Sequence, residues 1–424
     1  MIDPIIKTKS YRFHAAYIPW IVLFMSVFTL NLKTGMAAIS LSAANITRIL
    51  MVVFAGLLSV FYLLTSKRAF GHVFDIPILC FLMFGIAGII SGAYATEGYY
   101  AIWKAIEICV DVIAIVIIFH VSPARNAVLM LFRITVILYA LILLSVLVGA
   151  VISPSNAFIY MPRAFFKYQL SGVFPIINPN SVGFISAFLS IILLVCFIQT
   201  GQRLHKLFYL LLFLVAFISL ILAQARTSIV AFIAATSAYL FFDRRIKSLL
   251  AFIVALSLLF SLDVSASYLQ RGQSKELLNT MSGRTVAWEN AWHLFEKSPI
   301  IGNGFASASK FDVLKGSSTT TLHGSVLDVL VGVGILGFIP WAVAIVYTGI
   351  RLVWPLGGRE RSGSSRQMQI IRAVMVSIYV LILVKMITSS LLASHESFFL
   401  LFLILTAYST IPETATEDPF IVRT

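Results

Sequence analysis

The sequence predicts an all-α, polytopic membrane protein with about twelve transmembrane helices and one long extramembrane loop containing short helices. Three observations carry that reading. Hydrophobic residues make up 60% of the 424 positions and charged residues only 11%, a balance that leaves too little charge to cover a water-facing surface. Mean hydropathy is +0.98, and apolar runs recur at the roughly 20 residues that span a bilayer core as a helix. Lys and Arg fall unevenly between alternate short connections, which fixes an orientation.

Spans are expected near residues 15–32, 49–65, 74–95, 100–120, 127–152, 181–199, 207–224, 227–242, 248–262, 325–350, 369–391 and 396–411. The first follows Lys7, Lys9 and Arg12, as in a signal peptide. Its apolar run is long and lacks a convincing small-residue cleavage site, so it reads as a retained span. One set of short connections collects Lys67, Arg68, Arg203, Lys206, Arg244 and Arg245, among others, while the other holds few. The positive-inside rule then puts both termini in the cytoplasm. The chain divides into residues 1–262 with helices one to nine, an external loop 263–323, helices ten to twelve in 324–412, and a cytoplasmic tail 413–424. Cys80, Cys109 and Cys196 lie in apolar runs, as small buried hydrophobes do. The net charge of +14 implies anchoring at an anionic bilayer and anion handling rather than nucleic-acid binding.

Arginine on the external side is the first functional signal. "LAQARTS" places Arg226 at a span end, and "MPRAFFKYQLSGVFPIINPNSVGF" carries Arg163, Lys167 and the Asn178–Asn180 turn. The loop stretch "SGRTVAWENAWHLFEKSPIIGNGF", residues 282–305, reads as a helix from a Ser282 cap to Pro299. Arg284, Trp288, Trp292 and Phe295 recur on it at helical spacing. That helix either lies on the bilayer with Arg284 reaching headgroups, or turns Arg284 toward a ligand. Gly302 and Gly304 suit a turn where backbone approaches something closely. His323 closes the loop before Gly332, Gly334 and Gly337, which suit close helix packing. A neutral imidazole there either marks an interface or serves as a base; His293 is a weaker candidate. Within the spans, Glu107 and Asp111 lie one turn apart, and Lys385, His395 and Glu396 lie near the end of the chain. Glu107 or Asp111 paired with Lys385 would form an intramembrane polar network, structural or proton-carrying.

The series "NPN", "ART", "SGRTVAW…SPIIGNGF" and "LHGSVLDVLVGVGILGF", over roughly residues 160–340, resembles the O-antigen ligase and polymerase family of bacterial envelope glycosyltransferases. The resemblance implies a helical fold akin to the GT-C class, with no metal ion and no cofactor. It further implies transfer of a glycan from undecaprenyl diphosphate to an acceptor hydroxyl at the periplasmic face of the inner membrane. The family's two arginines correspond to Arg226 and Arg284, and its loop histidine to His323. Arg163, Lys167, Asn180, Trp288, Gly302 and Gly304 form the expected substrate-binding set around them. Two guanidinium groups can neutralise a leaving diphosphate in place of a metal, while His323 takes the acceptor's proton and the anomeric centre inverts. The family often has Asn where this chain has Gly324, and its ligases often have a second histidine where Thr321 stands. The loop motif favours a polymerase, whose acceptor is a second glycan. A ligase using lipid A–core, a protein O-oligosaccharyltransferase and a polysaccharide flippase are the alternatives. The bilayer is a partner in every case, and a chain-length regulator is a further candidate.

Overall fold

The computed structural model describes residues 15–28, 37–65, 75–121, 125–161, 166–260, 284–314, 322–357 and 366–411. Each apolar segment expected from the sequence coincides with a helix: α1 (Ile18–Val27), α2 (Ala37–Thr65), α3 (Ile76–Ser91), α4 (Gly98–Val121) and α5 (Arg125–Ile152) come first. A short turn, α6 (Pro154–Ala157), leads to strands β1 (Phe158–Tyr160) and β2 (Tyr168–Leu170). Then follow α7 (Pro179–Gln199), α8 (Arg203–Leu222), α9 (Arg226–Phe242) and α10 (Ile246–Phe260). The loop helix is α11 (Arg284–Lys297), and α12 (Ser325–Gly357), α13 (Arg366–Met386) and α14 (Ser397–Thr410) complete the order. Among the described residues six helices are long and apolar enough to cross a membrane, and five shorter ones are apolar. This is a helical membrane protein. Among the described residues the departure from all-α is the β1–β2 ribbon, antiparallel with Ile159 opposite Gln169, followed by a Gly172–Ile177 bridge.

Burial sorts the helices. In α7, 72% of the most apolar stretch is buried, against 17% in α2. A helix apolar on all sides and buried belongs at the centre, whereas exposed apolar side chains such as Leu57 and Phe61 on α2 suit a lipid-facing helix. Asn178 caps α7 by accepting from Ser181 N at 2.8 Å, with Pro179 next. This explains the Asn-Pro-Asn motif as a helix start.

A break in α12 positions the loop. Gly334 has φ 61° and ψ −165°, which interrupts the helix. Residues 299–304 lie in the gap: Asn303 N donates to Val331 O at 2.8 Å and Gly304 N to Gly332 O at 2.9 Å. In return Ile335 N donates to Pro299 O at 2.9 Å and Leu336 N to Ile300 O at 3.0 Å. A Cβ on Gly302 would lie 2.5 Å from Gly332 O. The close approach of Gly302 is therefore to α12, while a Cβ on Gly304 would meet Ala95 and Ser307, so packing alone requires a glycine at both positions.

Candidate active site

The turn between α8 and α9 holds Arg226. Gln224 adopts a positive φ of 47°, and its Nε2 donates to Phe166 O (2.8 Å) and Tyr168 O (3.0 Å). Gln169 Nε2 donates back to Ala223 O at 2.9 Å. The β-ribbon thus clamps the turn that sets Arg226, half-buried, at the first position of α9. Gly183 of α7 lies against Ala225 and Ser228, which brings Asn180, one turn earlier, to the same end of the bundle.

The loop helix supplies Arg284. Its protein-facing stripe is Arg284, Trp288, Ala291 and Phe295, at helical spacing; Trp292, expected on that face, is 48% exposed. Phe295 and Ala291 pack with Leu314, Leu322 and Val331, so protein rather than lipid covers the apolar side. Leu327 and Leu330 of α12 pack against this cluster and select the face. His293 lies on the exposed side beside Glu296, at 3.3 Å, and not in the site.

His323 sits between two fastened neighbours. Trp288 Nε1 donates to Leu322 O at 3.0 Å. Ser325 Oγ donates to Ser389 O at 2.8 Å and accepts from Leu392 N at 3.3 Å. His323 itself has φ 56°, a left-handed conformation uncommon for a residue with a side chain. Its pKa is lowered to about 4, first by burial and then by the charges of Arg284 and Lys385. Burial also lowers the pKa of Arg284.

Lys385 has surroundings that its sequence neighbours do not reveal. The expected pair with Glu107 or Asp111 does not form. Lys385, near the end of α13 and 2% exposed, instead donates to Thr227 Oγ1 at 2.8 Å and Ser228 Oγ at 3.1 Å. Those hydroxyls follow Arg226 directly, so Lys385 joins the first turn of α9 to the surroundings of His323. The sequence signal was a lone lysine in the last turn of an apolar helix.

Glu107 and Asp111 build a separate network. Glu107 accepts from Lys104 (2.8 Å), Arg48 (3.2 Å) and Trp103 Nε1 (3.1 Å). Asp111 faces His395 Nδ1 at 2.8 Å, and Ser26 Oγ faces His395 Nε2 at 2.8 Å. Glu396 follows as the cap residue of α14. Reach from Lys385 is lost because Thr227 and Ser228 hold its ammonium. Lys167 is exposed on the ribbon, and Arg163 lies outside the described residues.

Arg226, Arg284, Lys385 and His323 thus belong to one end of the bundle, where positive charge meets a neutral imidazole. A set of this composition can bind anionic oxygens and can accept a proton from a hydroxyl. Residues 211–342, which include Arg226, Arg284 and His323, match the family model described as O-antigen ligase. That stretch is similar to the O-antigen ligase family, and it makes up about a third of the chain. No curated protein matches the chain. Within the O-antigen ligase match lie the α8–α9 turn, the loop helix and the break in α12, while Lys385 lies beyond it.

Proposed function

We propose that this membrane protein transfers a glycan from undecaprenyl diphosphate to an acceptor hydroxyl at the periplasmic face of the bacterial inner membrane, with both termini in the cytoplasm. The observation that carries the proposal is the electrostatic convergence of Arg284 and Lys385 on His323. Breaking a sugar–diphosphate bond leaves negative charge on the diphosphate. Arg226 and Arg284 bind its oxygens in bidentate fashion and Lys385 adds a third positive charge. His323, neutral, removes the acceptor proton as its oxygen attacks the anomeric carbon from the far side, inverting that centre without a metal ion. About twelve spans in a GT-C-like arrangement would hold this site at headgroup depth.

Polymerisation of exopolysaccharide or O-antigen is the preferred reaction, on the loop motif. Ligation to lipid A–core is the second reading, favoured by the description of the matching family model. The test is transfer in detergent with a lipid-linked repeat unit as donor and, in parallel, lipid-linked glycan or lipid A–core as acceptor. Wild type transfers without any gradient, and His323→Ala does not. Wild-type protein that moves lipid-linked sugar across liposomes yet transfers none defeats the enzyme reading in favour of a flippase.

A further inference from the structure

A cavity of about 200 Å³ lies beside the site. Arg48, Lys104, Lys310, Asp328, His395 and Glu396 line it. Leu322, next to His323, is part of its wall, as are Ser390 and Ala393 from the segment that follows Lys385. The loop floor is fixed: Phe305 N donates to Ser91 Oγ at 2.8 Å, and Thr96 Oγ1 donates to Asp312 at 3.0 Å. Lys310 Nζ lies 4.6 Å from the centre of the Tyr100 ring.

The chemistry of the lining selects its ligand. Arg48 and Lys104 already face Glu107, and the carboxyl groups of Asp328 and Glu396 line the same space, so an anion is not favoured. Three side-chain cations at the wall oppose a cationic ligand equally. Arginine and lysine only donate hydrogen bonds and carboxylates only accept them; an uncharged polyol does both. Arg48 Nη2 is held by Glu107 Oε2 at 3.2 Å and by His395 O at 3.3 Å, which fixes this wall. The volume lies below the roughly 300–1,000 Å³ of pockets for larger ligands, which suits one sugar ring and excludes a lipid chain.

We propose that this cavity is a sugar-binding subsite that seats one uncharged, hydroxyl-rich unit of the acceptor glycan beside the transfer site. The proposal rests on the glycan-transfer reading above, and its test separates the two. The probe is the repeat-unit oligosaccharide released from the host's own surface polysaccharide, with binding read by saturation-transfer NMR on the detergent-solubilised full chain. Binding is expected to wild type and equally to His323→Ala, which is transfer-dead. Ser394→Phe, which fills the cavity, is expected to abolish it. Lys310→Ala, at an exposed position, is expected to weaken binding about tenfold and to raise the acceptor KM by the same factor with the donor KM unchanged. Lys310→Ala provides the decisive result if Ser394→Phe does not fold. Wild type that fails to bind, wild-type-like binding by folded Ser394→Phe or by Lys310→Ala, or preference for an acidic oligosaccharide each overturns the subsite. Binding without transfer in wild type overturns the transfer reading and leaves the subsite standing.

Discussion

Lys385→Met separates a functional cation from a structural one. Lys385 is 2% exposed, and its recorded partners are the Thr227 and Ser228 hydroxyls. Among the described residues it forms no ion pair with a carboxylate. Removing an ion from water costs several kcal/mol even after relaxation, and two neutral hydroxyls offset only part of that. Methionine has similar length and no charge. The substitution takes away that burden while withdrawing one donor from each hydroxyl, a loss of about 1–3 kcal/mol at most for a group left unpaired. The thermal midpoint is therefore expected to hold or rise. Activity is expected to move the other way. Losing one preorganised donor to charge that develops in the transition state costs about 10²–10³ in kcat. Both quantities are measured on one detergent-solubilised sample, the midpoint by intrinsic fluorescence and kcat with lipid-linked glycan. A kcat within about tenfold of wild type, or activity that declines only in step with the midpoint, refutes the assignment.

With the pKa of His323 lowered to about 4, the imidazole keeps its base form well into acid. The acid limb of kcat/KM is expected near pH 4, with the rate falling below it; a limb at the ordinary histidine value of 6.5 contradicts the role. Bound donor diphosphate stabilises the protonated ring, so the limb in kcat is expected at higher pH than in kcat/KM. Gly302→Ala puts a Cβ 2.5 Å from α12 backbone atoms at φ +78°. It is expected to cost at least about 2 kcal/mol of stability and to lower transfer by releasing the loop from α12, which a wild-type midpoint would disprove. Arg226→Lys keeps the charge and loses the two-pronged contact, so partial activity with a raised donor KM is expected, and full activity removes Arg226 from the site.

The helices were legible because hydropathy over one span is a local property. The same holds for the end of α11 at Lys297, before Ser298 and Pro299. What was not legible depended on partners distant in sequence. Gly332 and Gly334 read as a stripe of small residues for helix packing, yet they open α12 to residues 299–304, about thirty positions earlier. Trp292 groups with Trp288 and Phe295 by spacing alone, because aromatic spacing fits more than one side of a helix, and only the leucines of α12 decide which side the protein covers. Lys385 was matched to carboxylates on charge alone, although two hydroxyls 157 and 158 positions away hold it. Arg284 and Arg226 open their helices and His323 stands just before α12, so their positions at element ends, though not their roles, were readable from the motifs.

The backbone of His323 gives an independent reason to place chemistry there. A residue with a Cβ at φ 56° bears strain of about 1–2 kcal/mol that glycine avoids. The hydrogen bonds at Leu322 and Ser325 hold the chain in that shape. If the position served only the fold, glycine would serve it better. His323→Gly and His323→Ala are therefore expected to be equally inactive, with the glycine variant about 1 kcal/mol more stable than the alanine variant, which keeps the strain. Equal midpoints would mean that the left-handed geometry carries no cost. Transfer by the glycine variant would mean that the imidazole is not the base, and the positive groups around it would then need another proton acceptor.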